Sequence, residues 1–112
     1  MKRFLAMLPG ALLAACGAHG LRDTTPKLSS HTGKDVAAYV ECVRGKWDAL
    51  GVQASASAKD QEGRVSASDK NGARELIQAT ADGTGALVVL YERQDRDKTY
   101  DPRYRDAAVG CL

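Results

Sequence analysis

The sequence predicts an α+β domain: a helix, a four-stranded antiparallel β-meander and a short C-terminal helix, with both helices packed on one face of the sheet. Three observations carry this expectation. Apolar residues at Val36, Val40, Val43, Trp47 and Leu50 recur at steps of four, three, four and three, the stripe of an amphipathic helix. At Val52 the period drops to two, as in a strand with one dry face. Turn-forming clusters at Asp60 to Gly63, Asn71-Gly72 and Asp82 to Gly85 then divide the next stretch at hairpin spacing.

Taken in order, the chain opens with Lys2 and Arg3, an apolar run from Phe4 to Leu13 interrupted by Pro9 and Gly10, and then Leu13-Ala14-Ala15-Cys16. A charged start, a short apolar middle and small residues before a cut are the layout of a secretory leader. The run is about half the ~20 apolar residues that a spanning helix needs. The cysteine after Leu-Ala-Ala resembles the lipobox of bacterial lipoproteins, in which the leader is cut before the cysteine and that residue is acylated. The alternative is an ordinary signal peptide whose cleavage site lies beside a cysteine. The resemblance implies a signal peptide over residues 1–15, lipidation by palmitate or a related chain at Cys16, and a membrane as the first partner. Two or more acyl chains hold a protein stably on a bilayer. Gly17, standing where the enterobacterial sorting pattern would place Asp for retention at the inner membrane, implies attachment to the outer membrane, facing the periplasm.

Residues 16–32 read as the lipidated cysteine and a flexible tether, with Leu21 and Leu28 as its only sizeable apolar side chains and no period. Such a coil averages roughly 22 Å end to end. His19 and His31 fall within it, as solvated residues. The globular domain is expected over 33–112.

The first helix should begin at Thr32 or Gly33 and end near Leu50, where Gly51 supplies a stop. Trp47 lies on the stripe as a core residue, Tyr39 flanks it and Cys42 sits at its edge. Strands follow over Val52 to Lys59, Arg64 to Ser68, Ala73 to Ala81 and Ala86 to Arg93. The dry side of the first two is mostly alanine, which lets a helix come close. The fourth strand is apolar on both faces, although an edge position in a meander would leave one face wet. Either it is interior in a different strand order, or something packs on its second face. A covering partner would make Val88, Leu90 and Tyr91, with Tyr100 and Tyr104, a candidate partner surface.

Glu92 to Tyr104 is densely charged and reads as a solvated loop or, alternatively, a polar recognition loop. Asp101-Pro102 marks a helix start. Tyr104, Ala107, Ala108 and Cys111 then share one face. With Cys16 assigned to the lipid, Cys42 and Cys111 remain as an even pair in an exported chain and predict a disulfide, the alternative being two buried thiols. Closing a loop across 69 residues would restrict the unfolded chain by roughly 4 kcal/mol.

The chain carries 16 basic and 14 acidic side chains; losing Lys2 and Arg3 with the leader balances them. No basic stripe of the kind that nucleic-acid binders show is present, so a nucleic-acid partner is not expected. With both histidines placed in the tether, no Ser-His-Asp or Cys-His arrangement is expected on the domain, and neither a metal nor a cofactor is implied. Gly83-Thr84-Gly85 lacks the spacing, the lysine and the helix of a phosphate loop and reads as a hairpin turn.

Tyr39, Cys42 and Trp47 on a helix, a β-rich middle and the ending Arg105-Asp106-Ala107-Ala108 before Cys111-Leu112 make the chain resemble small uncharacterised Gram-negative envelope lipoproteins. The resemblance and the missing catalytic groups lead to one expectation, a membrane-anchored, non-enzymatic protein-interaction or structural module with an envelope protein partner. The alternative is an inhibitor or immunity lipoprotein acting against a cell-wall hydrolase or toxin.

Overall fold

A computed structural model of the chain describes residues 20–93 and 101–112; Cys16, the leader, His19 and Tyr100 lie outside them. The architecture is α+β, as expected, with five strands instead of four. In chain order the elements are β1 (Leu28–Thr32), α1 (Val36–Ala49), β2 (Gln53–Lys59), β3 (Glu62–Asp69), β4 (Gly72–Asp82), β5 (Gly85–Glu92) and α2 (Arg103–Gly110). The sheet order is β1-β5-β4-β3-β2, antiparallel throughout.

The added strand lies in the stretch that reads as tether. Leu-Ser-Ser-His-Thr has neither apolar alternation nor bulk, so nothing local marks it. It forms because β5 offers it a row of backbone groups, pairing Leu28 with Leu90 and Thr32 with Ala86. This also answers the question posed by the doubly apolar fourth strand: β5 is interior, between β1 and β4. Gly85 permits the close approach, since a Cβ there would stand 1.9 Å from the Thr32 carbonyl oxygen.

Helix α1 starts three to four residues later than expected. Thr32 is committed to β1, and the Asp35 side chain caps the helix by accepting from the Ala38 N–H at 2.7 Å. Its buried side chains are Val36, Tyr39, Val40, Val43 and Trp47, so Tyr39 belongs to the stripe and does not merely flank it. Leu50 is the C-cap and Gly51 follows with φ +89°, the left-handed conformation that ends many helices.

The alanine face of β2 and β3 does allow α1 to approach. At Gly63 a Cβ would stand 2.6 Å from Cγ1 of Val36 and 3.1 Å from Cγ1 of Val40. The core lies between this helix and the sheet, where Val65, Ala67, Ile77, Ala79, Ala86, Val88 and Leu90 meet the α1 stripe and Tyr104, Ala108 and Cys111 from the C-terminal segment.

The disulfide joins Cys42 to Cys111 with Cα atoms 6.0 Å apart, clamping the end of α2 across α1. Hydrogen bonds continue the clamp. The Tyr39 hydroxyl donates to the Ala108 carbonyl at 2.8 Å, the Trp47 indole to the Tyr104 carbonyl at 3.1 Å, and the Thr32 hydroxyl to the Leu112 carbonyl at 2.6 Å. Among the described residues no helix is long and apolar enough to cross a membrane.

Candidate functional site

Side chains alternate across each strand, so β5 presents Val88 and Leu90 to the helices and Leu87, Val89 and Tyr91 to the second face. This corrects the expected partner surface. Val88 and Leu90 are fully buried in the core, and Tyr104 is buried on α2. Tyr104 is held edge-on to Trp47, with ring centroids 6.0 Å apart, while the Arg74 guanidinium lies 4.4 Å from its ring centroid. Tyr91 alone of the described candidates is on the second face, and it is half-buried. Leu87, which no sequence pattern distinguishes from its apolar neighbours, is 48% exposed there.

Register divides that second face into rows. One row runs His31, Leu87, Thr80, Glu62; the next Ser29, Val89, Gln78, Arg64, Ser57; the third Tyr91, Leu76, Ser66, Ser55. The β1–β5 side is therefore apolar and the β3–β2 side polar. Leu76, between them, has no exposed surface, and Leu21 is 5% exposed, although neither belongs to the main core cluster. The chain reaches this face because Arg22 lines a groove with Ser57, Arg64, Gln78 and Thr80, all of them second-face residues. By Lys27, whose N–H donates to the Leu90 carbonyl, the chain has reached the β1 edge.

The groove over β2, β3 and β4 is open, with a volume of about 780 Å³, and its walls also include Lys59, Asp60 and Glu62. Its chemistry is ionic and hydroxylic, suited to a charged or polar surface.

On the helix side, beneath α2, Glu75 of β4 sits directly across from Glu92 of β5. Their exposures are 2% and 6%. Glu75 Oε2 accepts from Arg74 Nε at 3.3 Å and Glu92 Oε1 from Arg105 Nη2 at 2.9 Å. The remaining oxygens, Oε1 of Glu75 and Oε2 of Glu92, are buried without a hydrogen-bond partner. Burial first, and then the neighbouring Glu92 carboxylate, push the Glu75 carboxyl up to about 9 against the attraction of Arg74. The facing pair of carboxyls therefore favours keeping a proton, with Glu75 the raised partner.

A bulge makes this arrangement. Between Ala67/Glu75 and Ser68/Ala73 the β3–β4 register shifts, leaving Arg74 as the extra residue. The sequence did contain a signal. Glu75 is in phase with Ile77 and Ala79, and Glu92 with Val88 and Leu90, so each acid occupies a dry-face position.

His31 is on β1, not on a tether, with Nε2 3.6 Å from Asp82 Oδ2; both side chains are about half exposed. A histidine therefore does lie on the folded domain. Among the described residues no three His, Cys, Asp or Glu side chains gather at metal-binding geometry. No family model matches the chain, and no curated protein matches it in sequence.

Proposed function

We propose that the protein is an envelope lipoprotein, held to the outer membrane through acylated Cys16, whose folded domain is a non-enzymatic protein-interaction module. Its contact surface is the β1–β5 side of the second face. The observation that carries this reading is Leu87, 48% exposed on a strand whose alternate residues Val88 and Leu90 are fully buried. An interior strand has its backbone satisfied on both sides, so a large apolar side chain left half in water there is available to an apolar surface. Tyr91 and Val89 extend the strip. The disulfide supports export, since such bonds persist in oxidising compartments.

A photo-crosslinking amino acid placed at Leu87 should give a discrete adduct in intact envelopes, and Tyr91→Ala should abolish it without lowering thermal stability by more than about 1 kcal/mol. An adduct unchanged by Tyr91→Ala, and equally strong from a probe at Ser55, would place the contact elsewhere. Metabolic labelling with palmitate tests the anchor separately: wild type should incorporate label and Cys16→Ala should not.

A further inference from the structure

The arginines of the domain are almost all spoken for. Arg44 pairs with Glu41 and Asp48, Arg74 with Glu75, Arg93 with Asp69, Arg103 with Asp101 and Arg105 with Glu92. Among the described residues, Arg22 and Arg64 are the two that make no ion pair or side-chain hydrogen bond, and both line the same groove. Lys59, likewise unpaired, is a third cation in its wall, beside the hydroxyls of Ser57 and Thr80 and the amide of Gln78. Guanidinium groups bind phosphate oxygens through two parallel hydrogen bonds, and neighbouring hydroxyls and amides can donate to the remaining oxygens. Asp60 and Glu62 also line the groove, which favours a singly charged phosphodiester over a polyanion.

Chain length says where this groove sits. Only five residues lie between Cys16 and Arg22, and the six chain steps reach about 20 Å when fully extended. An acylated Cys16 lies at the headgroup level, so the groove cannot stand far from it. We infer that the groove is a headgroup-binding surface, which lays the β2–β3 side of the sheet against anionic phospholipid, such as phosphatidylglycerol, in the membrane that carries the anchor.

This rests on the lipobox reading. The Leu87 strip borders the groove's β4 wall, with Leu87 beside Thr80 and Val89 beside Gln78, and from there the sheet turns away by roughly 20 to 25° at each further strand. The domain then stands on one side of its face and offers the other along the membrane surface.

The test uses the purified natural protein in vesicles of phosphatidylcholine alone or with one quarter phosphatidylglycerol. Intact mass comes first, because a protein without acyl chains overturns both the anchor and the docking. With acyl chains present, phenylglyoxal modification is read residue by residue. Arg22 and Arg64 should be modified at least fivefold more slowly in the phosphatidylglycerol vesicles, while exposed Arg103 reacts equally in both. Each basic residue near an anionic surface contributes about fivefold in partitioning, so Arg64→Gln should return Arg22 most of the way to its rate in phosphatidylcholine.

Equal rates in the two vesicle types, on acylated protein, would sink the docking surface and leave the anchor standing. Equal protection by inorganic phosphate without vesicles would overturn it too, in favour of a soluble anion site. Arg64 is exposed on a strand, and circular dichroism of Arg64→Gln should match wild type; a misfolded variant is replaced by Lys59→Gln, read at Arg22 by the same criterion.

Discussion

Glu75 is the residue whose environment departs furthest from its ordinary chemistry, and its pH dependence has a definite sign. A carboxyl at 4.5 in the unfolded chain and about 9 in the folded one keeps its proton longer when folded. The associated stability is complete below pH 4.5 and is lost as pH rises toward 9, at up to about 1.4 kcal/mol per pH unit. Glu75→Gln removes that titration at nearly unchanged side-chain volume. Its melting temperature should fall less than wild type between pH 5 and 9, with the two profiles converging near pH 4; parallel profiles would show that Glu75 is ionised. A second residue-scale prediction concerns Gly63. Gly63→Ala forces a Cβ into Val36 and Val40 and should cost about 1 to 3 kcal/mol in urea unfolding, and Val36→Ala on the same background should recover part of it. Neither feature was fully visible beforehand. The alanine-rich face signalled close helix approach, whereas the acid pair needed both the phase of two strands and their register, and register across the bulge at Arg74 is a tertiary property.

At the level of elements, the disulfide is the simplest case to test. Cys42→Ser and Cys111→Ser should each lower stability by about 2 to 5 kcal/mol, and the double change should add little, because either one removes the same bond. Guanidinium unfolding of the three variants decides it; additive losses would contradict the pairing. Strand β1 is held differently, by its ladder to β5 and by the Thr32 hydroxyl on the Leu112 carbonyl. Gly85→Ala drives a Cβ against the Thr32 carbonyl and should free β1 selectively. Hydrogen exchange at residues 28–32 should rise far more than at β3 or β4, and uniform loss of protection would mean that β1 is integral to the fold. The elements that were legible share a cause. Helix α1, the hairpins and α2 carry periodic or turn residues that act over a few positions, such as the Trp47 stripe, the Asp60 turn and Asp101-Pro102. Leu28–Thr32 carries no such signal and becomes a strand only because β5 is already in place, so in sequence its five residues look like tether.

For the molecule as a whole, fold class was readable because the period switches once, near Val52, and the two cysteines fall on one helix and at the end of another. The proposed contact surface was not, since exposure on β5 depends on which side the helices occupy. Val88 and Leu90 could be assigned to the core, and Leu87 to the outside, only once that side was known. The covalent loop from Cys42 to Cys111 encloses every strand except β1. A pull on the chain ahead of Leu28, once the buried Leu21 gives way, therefore loads β1 next and can peel it away pair by pair from the Leu90 end, while the sulfur bridge keeps the other four strands and both helices in one piece. Under such tension the first strand would behave as a mechanical fuse, relieving the load by baring the β5 edge, with the ladder free to re-form once the strain is released.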